Sequence, residues 1–166
     1  MGKKLTFFGI LTALALALSF AERFIPLGLL IPLPGVKLGL ANLVTVAAIY
    51  CFNAKSAFCI VLARCVLGAV FSGNVSALLY SLAGALLSWA VMSLLAKTRF
   101  LSAYGICVLG AAFHSLGQII AASALVGASV FAYLPYLLLI SILTGSITGI
   151  VSSQLLKRLP DASVNH

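Results

Sequence analysis

Acidic side chains are nearly absent: Glu22 and Asp161 are the two among 166 residues. A Mg²⁺ site bridged by carboxylates, or acid–base work by a carboxylate pair, needs several acids in one place, and these two stand at opposite ends of the chain. Histidine is as scarce, with two residues, and the four cysteines (Cys51, Cys59, Cys65, Cys107) contain no C-x-x-C pair. Metal-ligand spacing is therefore missing, and the thiols read as small core residues. No G-x-x-x-x-G-K-[ST] phosphate loop occurs, which excludes ATP hydrolysis by this chain. Neither a metal nor a cofactor is expected. Charge of either sign makes up 7% of the residues, against about 25% in soluble domains. The Lys and Arg residues stand singly or in pairs between apolar stretches and build no continuous stripe, so nucleic acid is not an expected partner.

What is abundant is apolar: 63% of the chain is hydrophobic. The runs and their breaks predict an all-α integral membrane protein of six transmembrane helices in one domain over residues 1–159, followed by a short disordered tail at 160–166. The spans fall near 5–21, 38–52, 56–71, 75–95, 101–126 and 131–156. The first follows Lys3 and Lys4 like a secretory signal, but the segments behind it are equally apolar, and it reads as a retained span. Between the first two spans, Pro26, Pro32, Pro34 and Gly35 interrupt any helix, while Leu27, Leu29, Leu30, Ile31 and Leu33 are too apolar for a solvated loop. That stretch predicts a Pro-rich capping loop covered by the bundle, because irregular backbone at membrane depth needs protein or a water cavity beside it. Lys3, Lys4, Lys55, Lys97, Arg99, Lys157 and Arg158 gather at one face, with Arg23 and Lys37 at the other, which predicts both termini in the cytoplasm.

Ionisable residues inside a span are costly and mark function by default. Arg64 lies nine residues beyond Lys55, about 14 Å along a helix and roughly at the midplane. It either lines a substrate cavity or ties helices together through carbonyls or Glu22. His114 and Gln118 share one face of the fifth span, with Ser115 beside them. Asn42 of the second span, and Asn74 and Tyr80 at the outer turn and outer half of the fourth, fall in the same half of the bundle. These polar groups, with Lys37 and Arg23 at the mouth, predict a positive pocket open to the outside that suits an anionic or hydrogen-bond-rich small molecule. Ordinary interhelical hydrogen bonds are an equal explanation of Asn42, Gln118 and Tyr80 taken singly.

Small residues recur twice. Gly9, Ala13, Ala17 and Ala21 form a smooth ridge on the first span, for docking or for internal packing; Gly145 and Gly149 make a G-x-x-x-G pair in the sixth, one step after Ser141.

The run Pro34-Gly35-Val36-Lys37-Leu38-Gly39-Leu40-Ala41-Asn42, the 64–73 segment and His114-Ser115-Leu116-Gly117-Gln118 carry a resemblance extending over nearly the whole chain. The chain resembles the bacterial membrane family catalogued as heptaprenyl diphosphate synthase component I, also called the Gx transporter family. That family is similar to the substrate-binding S components of energy-coupling-factor transporters. The resemblance implies a six-helix bundle in the bacterial cell membrane, a capping first loop over an outward-facing pocket, and a docking ridge, matched here by Ala13, Ala17 and Ala21. Its implied partners are a vitamin-like, flavin-like or isoprenoid-related ligand and a module of one transmembrane coupling subunit with ATP-binding subunits. The synthase name implies prenyl diphosphate chemistry, which needs Asp-rich Mg²⁺ motifs that this chain lacks, so the chain is not expected to be an enzyme. The alternative is a noncatalytic membrane accessory of isoprenoid, quinone or flavin-linked redox metabolism.

Overall fold

The computed structural model describes residues 2–24, 37–98 and 100–158. Among them every regular element is helical: α1 (Gly2–Ala21), α2 (Asn42–Cys51), α3 (Ala54–Ser72), α4 (Val75–Leu95), α5 (Ala103–Val126) and α6 (Leu134–Arg158). Short 3-10 turns extend α1 over Glu22–Phe24 and lead into α6 over Ala128–Tyr133. The Pro-rich stretch from Pro26 to Gly35, Arg99 and the 160–166 tail lie outside the described residues.

The chain's polar punctuation sets the helix ends. Asn53 accepts a hydrogen bond from Ser56 N at 2.7 Å to start α3, and Gly73, at φ +62°, ends it in the left-handed conformation. Ser102 caps α5 through Gly105 N. Pro135 falls in the first turn of α6, where its missing N–H has no partner to lose.

Four helical stretches are long and apolar enough to cross a membrane: Ala54–Ser72, Val75–Leu95, Ala103–Val126 and the joined Ala128–Arg158. Their faces are inverted relative to a water-soluble bundle. Val70 and Phe71 of α3 and Leu139, Leu143 and Ile147 of α6 are exposed, whereas Arg64, Ser81, Ser88, His114, Gln118 and Ser152 are buried. An apolar exterior this extensive, closed around polar side chains, fits a lipid surround.

The second predicted span needs correction. Instead of a helix over 38–52, α2 begins at Asn42 and has ten residues, about 15 Å of rise. Gly39 interrupts the helical pattern at φ +84°, where a Cβ would come within 2.9 Å of Asn42 Nδ2 and 3.2 Å of His114 Cδ2. Residues 37–41 thus form an irregular lead-in, and α2 behind it is buried on most of its surface.

Helix α5 is the hub and packs most extensively against α4 and α6. Glycine permits both approaches. A Cβ on Gly84 of α4 would come within 2.6 Å of His114 O, and one on Gly117 of α5 within 2.7 Å of Ala83 O. The Gly145/Gly149 pair works the same way inside the bundle, against Val108 Cα at 2.7 Å and Tyr104 Cδ2 at 2.8 Å. Cys65 and Cys107 occupy core positions, Cys51 is half-buried and Cys59 is exposed; all four are free thiols. On α4, the indole of Trp89 donates to Ala54 O at 2.9 Å and lies 4.9 Å from the Phe58 ring.

Candidate functional site

The irregular lead-in to α2 is where the elements converge. The carbonyls of Gly39, Leu40 and Ala41 accept from the first N–H groups of α2, but the N–H groups of Lys37 and Leu40 and the carbonyls of Lys37 and Leu38 precede that ladder, and buried groups must find partners elsewhere. Three neighbours supply them. The Gln118 amide of α5 pairs with both backbone groups of Lys37, accepting from Lys37 N at 3.0 Å and donating to Lys37 O at 2.9 Å. Thr144 of α6 donates to Leu38 O at 3.4 Å. Glu22, just past α1, accepts from Leu40 N. Three helices therefore hold Lys37, Leu38 and Leu40 in place, with Gly39 turning between them.

Arg64 stands beside this segment. It is 3% exposed on α3, and its Nη1 donates to Ser19 Oγ of α1 at 3.3 Å. Its Nε and Nη2 are buried without a partner among the described residues. Gly68 lies one turn along α3 on the same face, and a Cβ there would lie 3.9 Å from Leu16 Cδ1 and 4.0 Å from Lys37 Nζ. Among the described residues no hydrogen bond or ion pair joins Arg64 to Glu22, whose carboxylate is turned to Leu40 N. Arg64 and Lys37 are nonetheless near enough for their charges to act on Glu22 and on His114.

His114 and Asn42 flank Gly39 on the other side. The His114 ring bonds the backbone of Gly84, and its Nδ1 is buried without a partner among the described residues. Asn42 donates through Nδ2 to Gly110 O at 3.4 Å, and its Oδ1 is buried with no partner among the described residues. Buried polar atoms are normally satisfied, and four such orphans belong to three side chains around one backbone segment. The C-terminal end of α1, the N-terminal end of α2 and the middles of α3, α4 and α5 meet here.

The residues singled out in the sequence separate into distinct settings. Arg64, Lys37, Asn42, His114 and Gln118 come together, although Gln118 spends its amide on the Lys37 backbone. Tyr80 is buried nearby but packs in an apolar cluster with Ile119, Ala122, Val130 and Leu137. Asn74 is exposed at the surface and caps α4, its Oδ1 accepting from Ala77 N at 3.1 Å. Sequence reasoning missed Ser19, Gly39 and Thr144. A signal for Thr144 was present: Leu137, Ser141, Thr144, Thr148 and Ser152 recur at steps of three and four and are all buried. Ala13, Ala17 and Ala21, with Gly9, are all exposed, and a Cβ on Gly9 would meet nothing within 4 Å.

The family model described as heptaprenyl diphosphate synthase component I matches residues 11–155. No curated protein and no solved structure matches the chain.

Proposed function

The chain belongs to the heptaprenyl diphosphate synthase component I family, and from that premise we propose that it is a noncatalytic membrane subunit that captures a small molecule. The observation carrying this reading is Arg64: a buried guanidinium with two of its donors facing no acceptor among the described residues. A buried charge retained only to brace helices would have its remaining N–H groups matched, since each unmatched one is costly in a low-dielectric interior.

In this reading six helical passes cross the bacterial cell membrane with both termini in the cytoplasm, and α1 rises outward. Glu22, Lys37, Arg64 and His114 then lie in the outer half. The exposed ridge of Ala13, Ala17 and Ala21 serves as the docking face for a transmembrane coupling subunit with its ATP-binding partners. Its exposure contrasts with the buried Gly145/Gly149 pair and supports docking over internal packing. Catalysis on prenyl diphosphates has little support: Glu22 is committed to Leu40 N, and Asp161 lies at the other end of the sequence.

The family description favours a second reading, in which the same bundle holds a quinone or polyprenyl compound as an accessory of isoprenoid metabolism. Mass spectrometry of small molecules copurifying with the detergent-extracted protein separates the two. A vitamin-like or flavin-like molecule supports capture for uptake, and a polyprenyl or quinone compound supports the accessory role. Capture further predicts that Ala17→Trp abolishes uptake while the copurifying molecule stays bound. Full uptake by that variant would remove the ridge from the mechanism.

A further inference from the structure

Resting on the capture reading, the geometry points to the chemical class of the captured molecule: we infer that it presents a carboxylate or phosphoryl group, seated on the Nε/Nη2 edge of Arg64.

The three nitrogens of a guanidinium are not equivalent. Nη1 lies on the side of the arginine's own Cδ, whereas Nε–H and Nη2–H project together from the opposite edge as two parallel donors. In this protein Nη1 is the nitrogen that donates to Ser19 Oγ, at 3.3 Å, and it pins the plane of the group. Nε and Nη2, the two that make the parallel fork, are the buried pair without a partner among the described residues. Such a fork matches two oxygens of one oxyanion, a bidentate arrangement that is short, strong and specific for planar or tetrahedral oxygen pairs. The one carboxylate among the described residues does not take that place. Glu22 accepts from Leu40 N, and Asp161 lies far along the sequence. Lys37 Nζ, on the same face of α3 one turn away, adds a second positive charge to the neighbourhood. A neutral guest can accept these N–H groups but brings no opposite charge, a cationic one is repelled, and a halide lacks the two oxygens that the fork matches.

The test uses the full chain in detergent or nanodiscs, with benzoate, phenyl phosphate and the neutral isostere benzamide as probes. Binding is followed by calorimetry and by the shift in melting temperature. Benzoate or phenyl phosphate is expected to bind and benzamide to fail, and the tighter of the two anions tells which oxyanion the fork prefers. In Arg64→Lys, which keeps the charge and loses the fork, affinity for that anion is expected to fall by at least roughly tenfold. Equal binding of benzoate and benzamide, or undiminished anion binding by a folded Arg64→Lys protein, overturns the inference. The probe comparison on the unmodified chain decides the matter even where the variant does not fold. If neither anion binds while a neutral or cationic molecule copurifies, the fork assignment is wrong and the capture reading stands. If neither anion binds and nothing copurifies, both are wrong.

Discussion

At the scale of single residues, Arg64 and Glu22 carry the chain's most informative chemistry, and the sequence exposed them unequally. A charge inside an apolar run stands out, so Arg64 was legible at once. The role of Glu22 was not, because its partner is the N–H of Leu40, a backbone group that is available only because residues 37–41 are not helical. Gln118 shares a helix face with His114, as its spacing predicts, and its amide serves the backbone of Lys37. Asn42 and Asn74 looked alike as letters; the Gly73 that stops α3 just before Asn74 is the sign of a cap. Glu22, which lies beyond the end of α1, also predicts a pH dependence. Burial pushes its carboxyl from 4.5 up to about 7, against the opposing pull of the Leu40 N–H, Arg64 and Lys37. The folded protein therefore keeps a proton that the unfolded chain has released across that interval. Stability from this group is complete below pH 4.5 and is lost as pH rises through about 7. The melting temperature in detergent should fall between pH 5 and pH 8, and Glu22→Gln, which keeps an acceptor for Leu40 N, should flatten that slope. A slope unchanged by the substitution would assign it to other groups.

At the scale of elements, the two small-residue ridges differ in use, and spacing alone could not tell them apart. On α6 the pair Gly145 and Gly149 sits against α5; on α1 the row from Gly9 to Ala21 faces away from the bundle. The five longer helices were legible from their length and apolar runs to within a few residues. The short α2 was not, because its lead-in is as apolar as a helix and only the conformation of Gly39 breaks it. Added bulk should therefore cost very different amounts at different places. Gly117→Ala puts a Cβ within 2.7 Å of a backbone carbonyl that belongs to a packed helix, and should destabilise by about 1–3 kcal/mol. Gly9→Ala enters open space and should leave stability unchanged or raised by up to about 1 kcal/mol, the gain in helix propensity. Reversible unfolding in mixed micelles measures both, and equal losses at the two positions would contradict the packing described for α4 and α5.

At the scale of the whole molecule, the apolar outside and polar inside were legible from composition, since a chain with so few charges has nothing to cover a water-facing surface. The direction of insertion is carried by the distribution of Lys and Arg. Reporter fusions should place both termini, Lys55 and Lys97 on the cytoplasmic side and Lys37 opposite; Lys37 and Lys55 on one side would leave α2 without a crossing and would undo the six-pass arrangement. The indole of Trp89 has a use at this scale as well. It is the chain's one tryptophan, fastened to the start of α3 from the middle of α4. Its fluorescence thus comes from a single known address, and a colour change in that emission would mark the moment the two helices part, with no dye or label attached.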